Sequence, residues 1–420
     1  MNLNTAAKRV LFLQSQTFFG ADSAIHAQLM QHMNPEQVQV HVACNHRRDS
    51  NEAMTAMDRI QKIPGIIVRP TEFGPSVFAR PLWERLATSI VQGSRLPLSL
   101  LALALYIKRE KIQLIHCTEK PRDAFYGVLL GKLTGAKSIV HMHVRYAGWI
   151  RPTVRWAMRH ADAVIGVSEF VSETVIEAGI PASRVHTVVN ALDNHDGTWN
   201  PRTDAAEVRQ EFGIAPDAVL VGACSRLFRW KGQRELLEAI AELLPEIPKL
   251  HVMIVGEDDT RANPGGKSFL AELELLAAEK GIADHVTFTG FRRDIPRLMN
   301  AFDIYAMPSF EEPLGMVYLE AMVLGKPVVA YNNGGVPEIV EDNITGLLSE
   351  PYDIATLAHS LRTLALNPAL RHKMGAAGRE RVLRESTPKQ MCTRMEQVYR
   401  EILSGQHETE STSSKTVEVR

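Results

Sequence analysis

Two doubly wound α/β domains in tandem are the fold this sequence predicts, and three features predict it. Short apolar runs rich in β-branched residues recur along the 420 residues, helical patterns alternate with them, and one polar, turn-rich stretch divides the runs into two series. The runs are continuously apolar, the mark of strands buried on both faces of a parallel sheet.

The first series reads as strands at 10–13, 38–44, 66–68, 114–116, 138–142, 163–167 and 185–189. Helical patterns lie between them at 22–32, 82–108, 124–133, 154–160 and 169–178. Residues 192–203 hold Asn194, Gly197, Asn200 and Pro201, the composition of a linker. The second series runs 219–223, 251–255, 286–288, 304–307, 328–330 and 346–348. Residues 1–200 and 201–385 are expected as the two domains. A helix over 386–405 is expected to return to the first, and the Ser-, Thr- and Glu-rich tail over 406–420 to be disordered.

Composition excludes more than it selects. A hydrophobic content of 45% can fill two cores, and a net charge of −1 does not call for nucleic acid as a partner. Cys44, Cys117, Cys224 and Cys392 are far apart and form no C-x-x-C pair, which reads as buried thiols in a reducing compartment. The polar start over residues 1–9 carries no secretory pattern, and the most apolar run, 96–107, is short of the roughly 20 residues a bilayer requires. A cytoplasmic protein is the expectation.

The most informative segment is Ser309-Phe310-Glu311-Glu312-Pro313-Leu314-Gly315-Met316-Val317-Tyr318-Leu319-Glu320. A strand ends, a short loop carries Glu312, and a helix is predicted to open at about Leu314 with free N–H groups near Gly315, Met316 and Val317. Such amides, at the positive end of the helix dipole, suit a phosphate. Glu320 stands four residues past Met316 on the same face, about 6 Å along the axis, the offset of a ribose from its diphosphate. Glu312, on the loop side, can accept hydroxyls at the other end. Taken alone, the pair also fits a dipole-balancing carboxylate and a solvated helical Glu.

Earlier in the second series, Cys224-Ser225-Arg226-Leu227-Phe228-Arg229-Trp230-Lys231-Gly232 places Arg226 and Lys231 on the loop between a strand and a helix. Cations at a helix start oppose the dipole, which argues for an anionic ligand, and a leaving nucleoside diphosphate develops charge that they would stabilise. Arg229 reads as a solvated charge and Trp230 as packing.

These segments resemble the retaining GT-B glycosyltransferases of the sucrose-synthase-like family 4, whose E-x7-E signature matches Glu312 to Glu320 and whose G-R-L-x-x-x-K-G element resembles 224–232. Pro313 and Cys224-Ser225 depart from its commoner residues. The resemblance implies two facing Rossmann-like domains with an interdomain cleft. Glu312 would lie on the donor sugar, Glu320 on the ribose, Arg226 and Lys231 on the diphosphate, and Phe291 and Arg292 in a loop holding the nucleobase. Gly20, in Phe19-Gly20-Ala21-Asp22, corresponds to a loop beneath the diphosphate. His143, in Val140-His141-Met142-His143, would project into the cleft near the reacting carbon, although strand histidines are also often core residues. Asn333-Gly334-Gly335-Val336-Pro337-Glu338 resembles the family's G-G-x-P-E turn, and it equally suits a structural turn.

Catalytic roles are thus expected for His143, Arg226, Lys231 and Glu312, and donor binding for Gly20, Arg226, Lys231, Phe291, Arg292, Glu312, Gly315, Met316, Val317 and Glu320. No metal and no cofactor are expected, the family using cationic side chains and amides on the diphosphate. The activity implied is retaining transfer of a hexose from a UDP- or GDP-sugar to a sugar or lipid-linked acceptor, in bacterial cell-surface glycan, lipopolysaccharide or glycolipid biosynthesis. A catalytically silent nucleotide-sugar-binding protein and a transferase for a soluble sugar or metabolite are the alternatives. The acid-free stretch Arg145, Trp149, Arg151, Arg155, Trp156 and Arg159 either faces an anionic membrane, placing the enzyme peripherally at its inner face, or splits into core tryptophans and solvated arginines.

Overall fold

The computed structural model describes residues 7–47, 54–74, 95–202, 204–258 and 268–405. The tail over 406–420, and the part of the helical pattern from 82 to 94, lie outside the described residues. The chain divides into two units, one of Met1–Gly166, Val175–Val188 and Cys392–Arg420, the other of Val167–Thr174 and Val189–Met391. The crossing at Val189 comes before the boundary expected at 200. The reason is that the polar stretch packs with the second unit: Leu192 N donates to Ser386 O at 3.0 Å, and Arg202 N to Asn300 Oδ1 at 3.2 Å.

In the first unit, β1 (Lys8–Gln14), β2 (Val38–Asn45), β3 (Ile67–Thr71), β4 (Leu114–Thr118), β5 (Lys137–Met142), β6 (Ala163–Gly166) and β7 (Val185–Thr187) form one parallel sheet in the order β3-β2-β1-β4-β5-β6-β7. The apolar runs become its buried centre, Val10 to Leu13 of β1 being fully covered. Helices Leu96–Arg109, Pro121–Thr134 and Pro152–His160 pack side by side in that sequence. The closing helix Pro388–Ser404 docks on this unit from Cys392 onward. Glu396 Oε1 accepts from Asn34 N at 2.7 Å, and the Tyr399 hydroxyl meets His116 Nδ1 at 2.6 Å.

In the second unit, β8 (Val219–Cys224), β9 (Leu250–Val255), β10 (Val286–Phe288), β11 (Ile304–Ala306), β12 (Val328–Tyr331) and β13 (Gly346–Ser349) form a parallel sheet in the order β10-β9-β8-β11-β12-β13. Helix Gln233–Leu243 buries Leu236, Leu237 and Ile240 against Val252 and Ile254 of β9, the burial its 3.6-residue apolar period demands. Strand order reverses between β8 and β11. Ligands of open parallel sheets bind beyond the carboxyl ends of the strands at that reversal, so the loops after Cys224 and Ala306 are where a ligand is expected.

Candidate functional site

The two loops at the reversal are built on each other. Gly232, closing the loop after β8, lies so near Pro308 that an added Cβ would fall 2.0 Å from its carbonyl oxygen. Phe310 N donates to Trp230 O at 2.7 Å across the same seam. The result brings together two residues 81 apart in sequence: Lys231 Nζ donates to Glu312 Oε2 at 2.6 Å, with both side chains largely buried. Lys231 Nζ also stands 4.0 Å from the centre of the Trp230 ring. Trp230, expected as packing, is 40% exposed and supports this ammonium by a cation–π contact instead.

Helix Met316–Val323 opens two residues later than expected, because Gly315 takes a left-handed conformation (φ 89°, ψ 68°) that ends the loop as the helix cap. The offset to Glu320 is unchanged. Gly315 has no room for a side chain, since a Cβ would meet the Tyr318 ring at 2.3 Å, and Tyr318 is itself pinned by its hydroxyl to Met307 O at 2.8 Å. The amides of the first turn, among them Met316 and Val317, are therefore presented by a rigid cap.

The Asn333-Gly334-Gly335 turn proves to be the buttress of the Glu312 loop. Asn333 Oδ1 accepts from Glu311 N at 2.7 Å, and Gly335 N donates to Glu312 O at 2.8 Å. Gly334 (φ 61°) sits where a Cβ would be 2.5 Å from Glu312 O. A further brace was not legible in the sequence: Ser168 Oγ donates to Pro313 O at 2.6 Å, while Glu338 accepts from Glu169 N at 2.8 Å and Phe170 N at 2.9 Å. Glu338 thus caps helix Glu169–Glu177, whose first residues belong to this unit.

Glu320 is half-buried near Cys224 and Tyr305, and burial pushes its pKa up to about 7. Arg226 is exposed on its loop, its guanidinium 4.8 Å from the Phe228 ring. Arg229 pairs with Glu272, as a solvated surface charge does. In the loop after β10, Phe291 is 60% exposed, whereas Arg292 is held by Asp294 at 2.8 and 2.7 Å and by Glu211 at 3.1 Å. That fork is occupied by carboxylates, while Phe291 stays exposed on the loop.

In the first unit Gly20 caps helix Ala21–His32 beyond β1, and His143 follows β5. His143 packs on His26 and His141, with ring centres 5.5 and 4.3 Å away, and burial holds its pKa well below the usual value, so the ring is neutral. Its backbone N–H donates to the buried Glu119 at 3.3 Å. His141 is a core residue: its Nδ1 meets His116 Nε2 at 3.2 Å. The basic–aromatic stretch does not form one face. Trp149 is 62% exposed and Arg151 and Arg159 point to solvent, but Trp156 packs on Phe125 and His160, and Arg155 holds the carbonyls of Ile150 and Gly148. Helix Pro152–His160 must bury one side, Val154, Ala157 and Met158, and its neighbours follow them inward.

The family profile described as glycosyltransferase family 4 matches residues 26–195, and that described as glycosyl transferases group 1 matches residues 204–381. Alpha-D-kanosaminyltransferase of Streptomyces kanamyceticus is 29% identical over 276 residues, 62% of this chain and 69% of that protein. The GDP-mannose-dependent alpha-(1-6)-phosphatidylinositol monomannoside mannosyltransferase of Mycolicibacterium smegmatis is 33% identical over 266 residues, 60% of this chain and 66% of that one. Anabaena HepE, solved in complex with UDP and glucose, superposes with a TM-score of 0.73 at 23% identity, over 94% of this chain and 100% of that one, a likeness of fold.

Proposed function

The chain belongs to the family-4 glycosyltransferases of GT-B fold, and from that membership we propose that this transferase moves a hexose, with retention, from a UDP- or GDP-sugar to a hydroxyl of a lipid-linked acceptor. The observation that carries the reading is the contact of Lys231 with Glu312 beside the capped first turn of helix Met316–Val323. It sets a cation, a hydroxyl-accepting carboxylate and free amides around one point at the sheet's strand reversal. A diphosphate there is held by the amides and by Lys231 and Arg226, with its ribose on Glu320 and its sugar on Glu312. The relatives support a nucleotide-sugar donor, one being GDP-mannose-dependent and HepE being bound to UDP and glucose.

In front-face attack the acceptor oxygen bonds to the anomeric carbon as the bond to the diphosphate oxygen breaks. The acceptor proton passes to the departing diphosphate. Arg226, Lys231 and the amides then act on negative charge that grows as the leaving group departs, which is where electrostatic stabilisation accelerates the reaction. These groups do what a bound cation does in metal-dependent transferases, and the reaction is proposed to run without one. The neutral His143 acts at the acceptor side, in the first unit.

Support for a lipid-borne acceptor comes from the phosphatidylinositol monomannoside that the mannosyltransferase relative acts on, and from the exposed Trp149 and Arg151, neighbours in one loop that suit an anionic interface. Among the described residues no helix is long and apolar enough to cross a membrane. The enzyme is proposed to work peripherally at the cytoplasmic face, in cell-surface glycan, lipopolysaccharide or glycolipid assembly. The test is a panel of UDP- and GDP-sugars with and without a bacterial lipid extract, read as release of nucleoside diphosphate. One donor should turn over, faster with lipid. Binding of donor without turnover under every condition would instead identify a silent sugar-nucleotide-binding protein.

A further inference from the structure

Away from the donor site, the amino-terminal edge of the first unit's sheet carries a cationic hollow. A cavity of about 810 Å3 there is rimmed by Lys8, Lys108, Lys111, Lys137 and Arg400 over an apolar floor that includes Ile107 and Leu403. Among the described residues no carboxylate lines it. Lys137 is shared with Asp162 at 2.8 Å just outside, and Lys108 and Lys111 are exposed.

Lys111 is held in an unusual way. It follows helix Leu96–Arg109 in the left-handed region, φ 50°, with Ile112 N donating back to Ile107 O at 2.9 Å. Glycine is the usual residue at this turn, because a side chain there is sterically penalised. A lysine in this conformation carries a local steric cost that glycine would not.

The same helix carries an outward apolar row. Leu98, Leu101 and Leu105 are 69%, 57% and 60% exposed, and Lys108 continues their spacing into the hollow. Leu133, 63% exposed, stands on the adjacent helix Pro121–Thr134, whose last residue also lines the cavity. The helix begins with Leu96 beside Gly74, beyond the carboxyl end of β3, and the row runs along it to the hollow by the start of β1.

We propose that the hollow binds the anionic, phosphate-bearing headgroup of a membrane lipid while Leu98, Leu101 and Leu105 enter the acyl boundary. The cations alone would suit any phosphate, but a soluble phosphate leaves the leucine row in water, whereas a bilayer takes both. This rests on the membrane-surface reading above and gives it a location distinct from Trp149.

The full chain is sedimented at low salt with phosphatidylcholine vesicles, plain or mixed with phosphatidylglycerol. The wild type should bind the mixed vesicles and scarcely the plain ones. Lys111→Gly should melt no lower than wild type, since it relieves the turn, yet bind about fivefold more weakly, the worth of one cation at an anionic surface. Lys108→Glu, a change of two charges, should lose about 25-fold, and Leu101→Asp should also lose binding. Wild-type binding by both lysine variants, or equal binding to both vesicle types, overturns the proposal. Weakening in Lys111→Gly with none in Leu101→Asp would leave the headgroup contact but overturn the insertion of the leucine row, and with it the proposal. Titration of nucleoside diphosphate into the same variants should give unchanged affinity. A chain that binds vesicles but no nucleoside diphosphate would sink the donor-site reading and leave this one standing.

Discussion

Donor affinity should depend on pH through Glu320. Burial lifts its carboxyl from the ordinary 4.5 to about 7, while the two ribose hydroxyls it is proposed to accept favour the ionised form. Binding therefore draws on the ionised fraction and releases a proton when the carboxyl is neutral. At pH 8 about nine-tenths of the chains carry the charge and at pH 6 about one-tenth, so affinity should fall roughly tenfold across that interval, about 1.4 kcal/mol. The sign is that of a carboxyl whose pKa is raised in the free protein: binding strengthens as pH rises through the pKa and levels off above it. Calorimetry with the intact NDP-sugar is the assay, because the free nucleotide's terminal phosphate titrates nearby. Repeating it near pH 7 in buffers of different ionisation heat should reveal proton release of about half an equivalent. Glu320→Gln, which keeps an acceptor oxygen but cannot ionise, should show neither effect. If its pH profile retains the wild-type slope, the ribose contact is wrongly placed.

Four further outcomes follow from the same geometry. Arg226→Ala and Lys231→Ala should each lower kcat about 100-fold or more at saturating donor with folding intact, and near-normal turnover in both would remove the diphosphate from this loop. Glu312→Ala should spare free NDP but weaken NDP-sugar binding or turnover, since its contacts are to sugar hydroxyls; equal losses for the two ligands would count against that role. Gly315→Ala, placing a methyl 2.3 Å from the Tyr318 ring at φ 89°, should cost about 2 kcal/mol or more in thermal unfolding together with NDP affinity, and an unchanged melting temperature would show that the cap is not rigid. Turnover measured after exhaustive dialysis against EDTA should equal that of untreated enzyme, and restoration of a lost rate by added magnesium or manganese would refute the metal-free mechanism.

What the sequence determined by itself was local in character. Continuous apolar runs required parallel strands, their alternation with amphipathic helices required doubly wound sheets, and the spacing of Glu312 from Glu320 put a loop carboxylate and a helical one on either side of a phosphate-sized gap. Arg226 and Lys231 stand out for the same reason, as cations at a helix start that an anion would balance, and in the fold the anion beside Lys231 is Glu312. Tertiary structure decided whatever depends on residues distant in the chain. Only the packing of Gly232 on Pro308 brings Lys231 to Glu312, and only the Asn333–Gly335 turn shows why the Glu312 loop is stiff. Ser168 has a local role, accepting from Val171 N at 3.0 Å at the start of helix Glu169–Glu177, and Glu338 closes a recognisable turn, but their contacts with Pro313 and with the head of that helix are settled only by how the second unit closes. The basic–aromatic stretch read as one surface until helix Pro152–His160 chose its buried side and took Trp156 with it, while Leu98, Leu101 and Leu105, apolar enough for a core, were left outside. Periodicity says that a helix has two faces; which of them a neighbouring element covers is settled only in three dimensions.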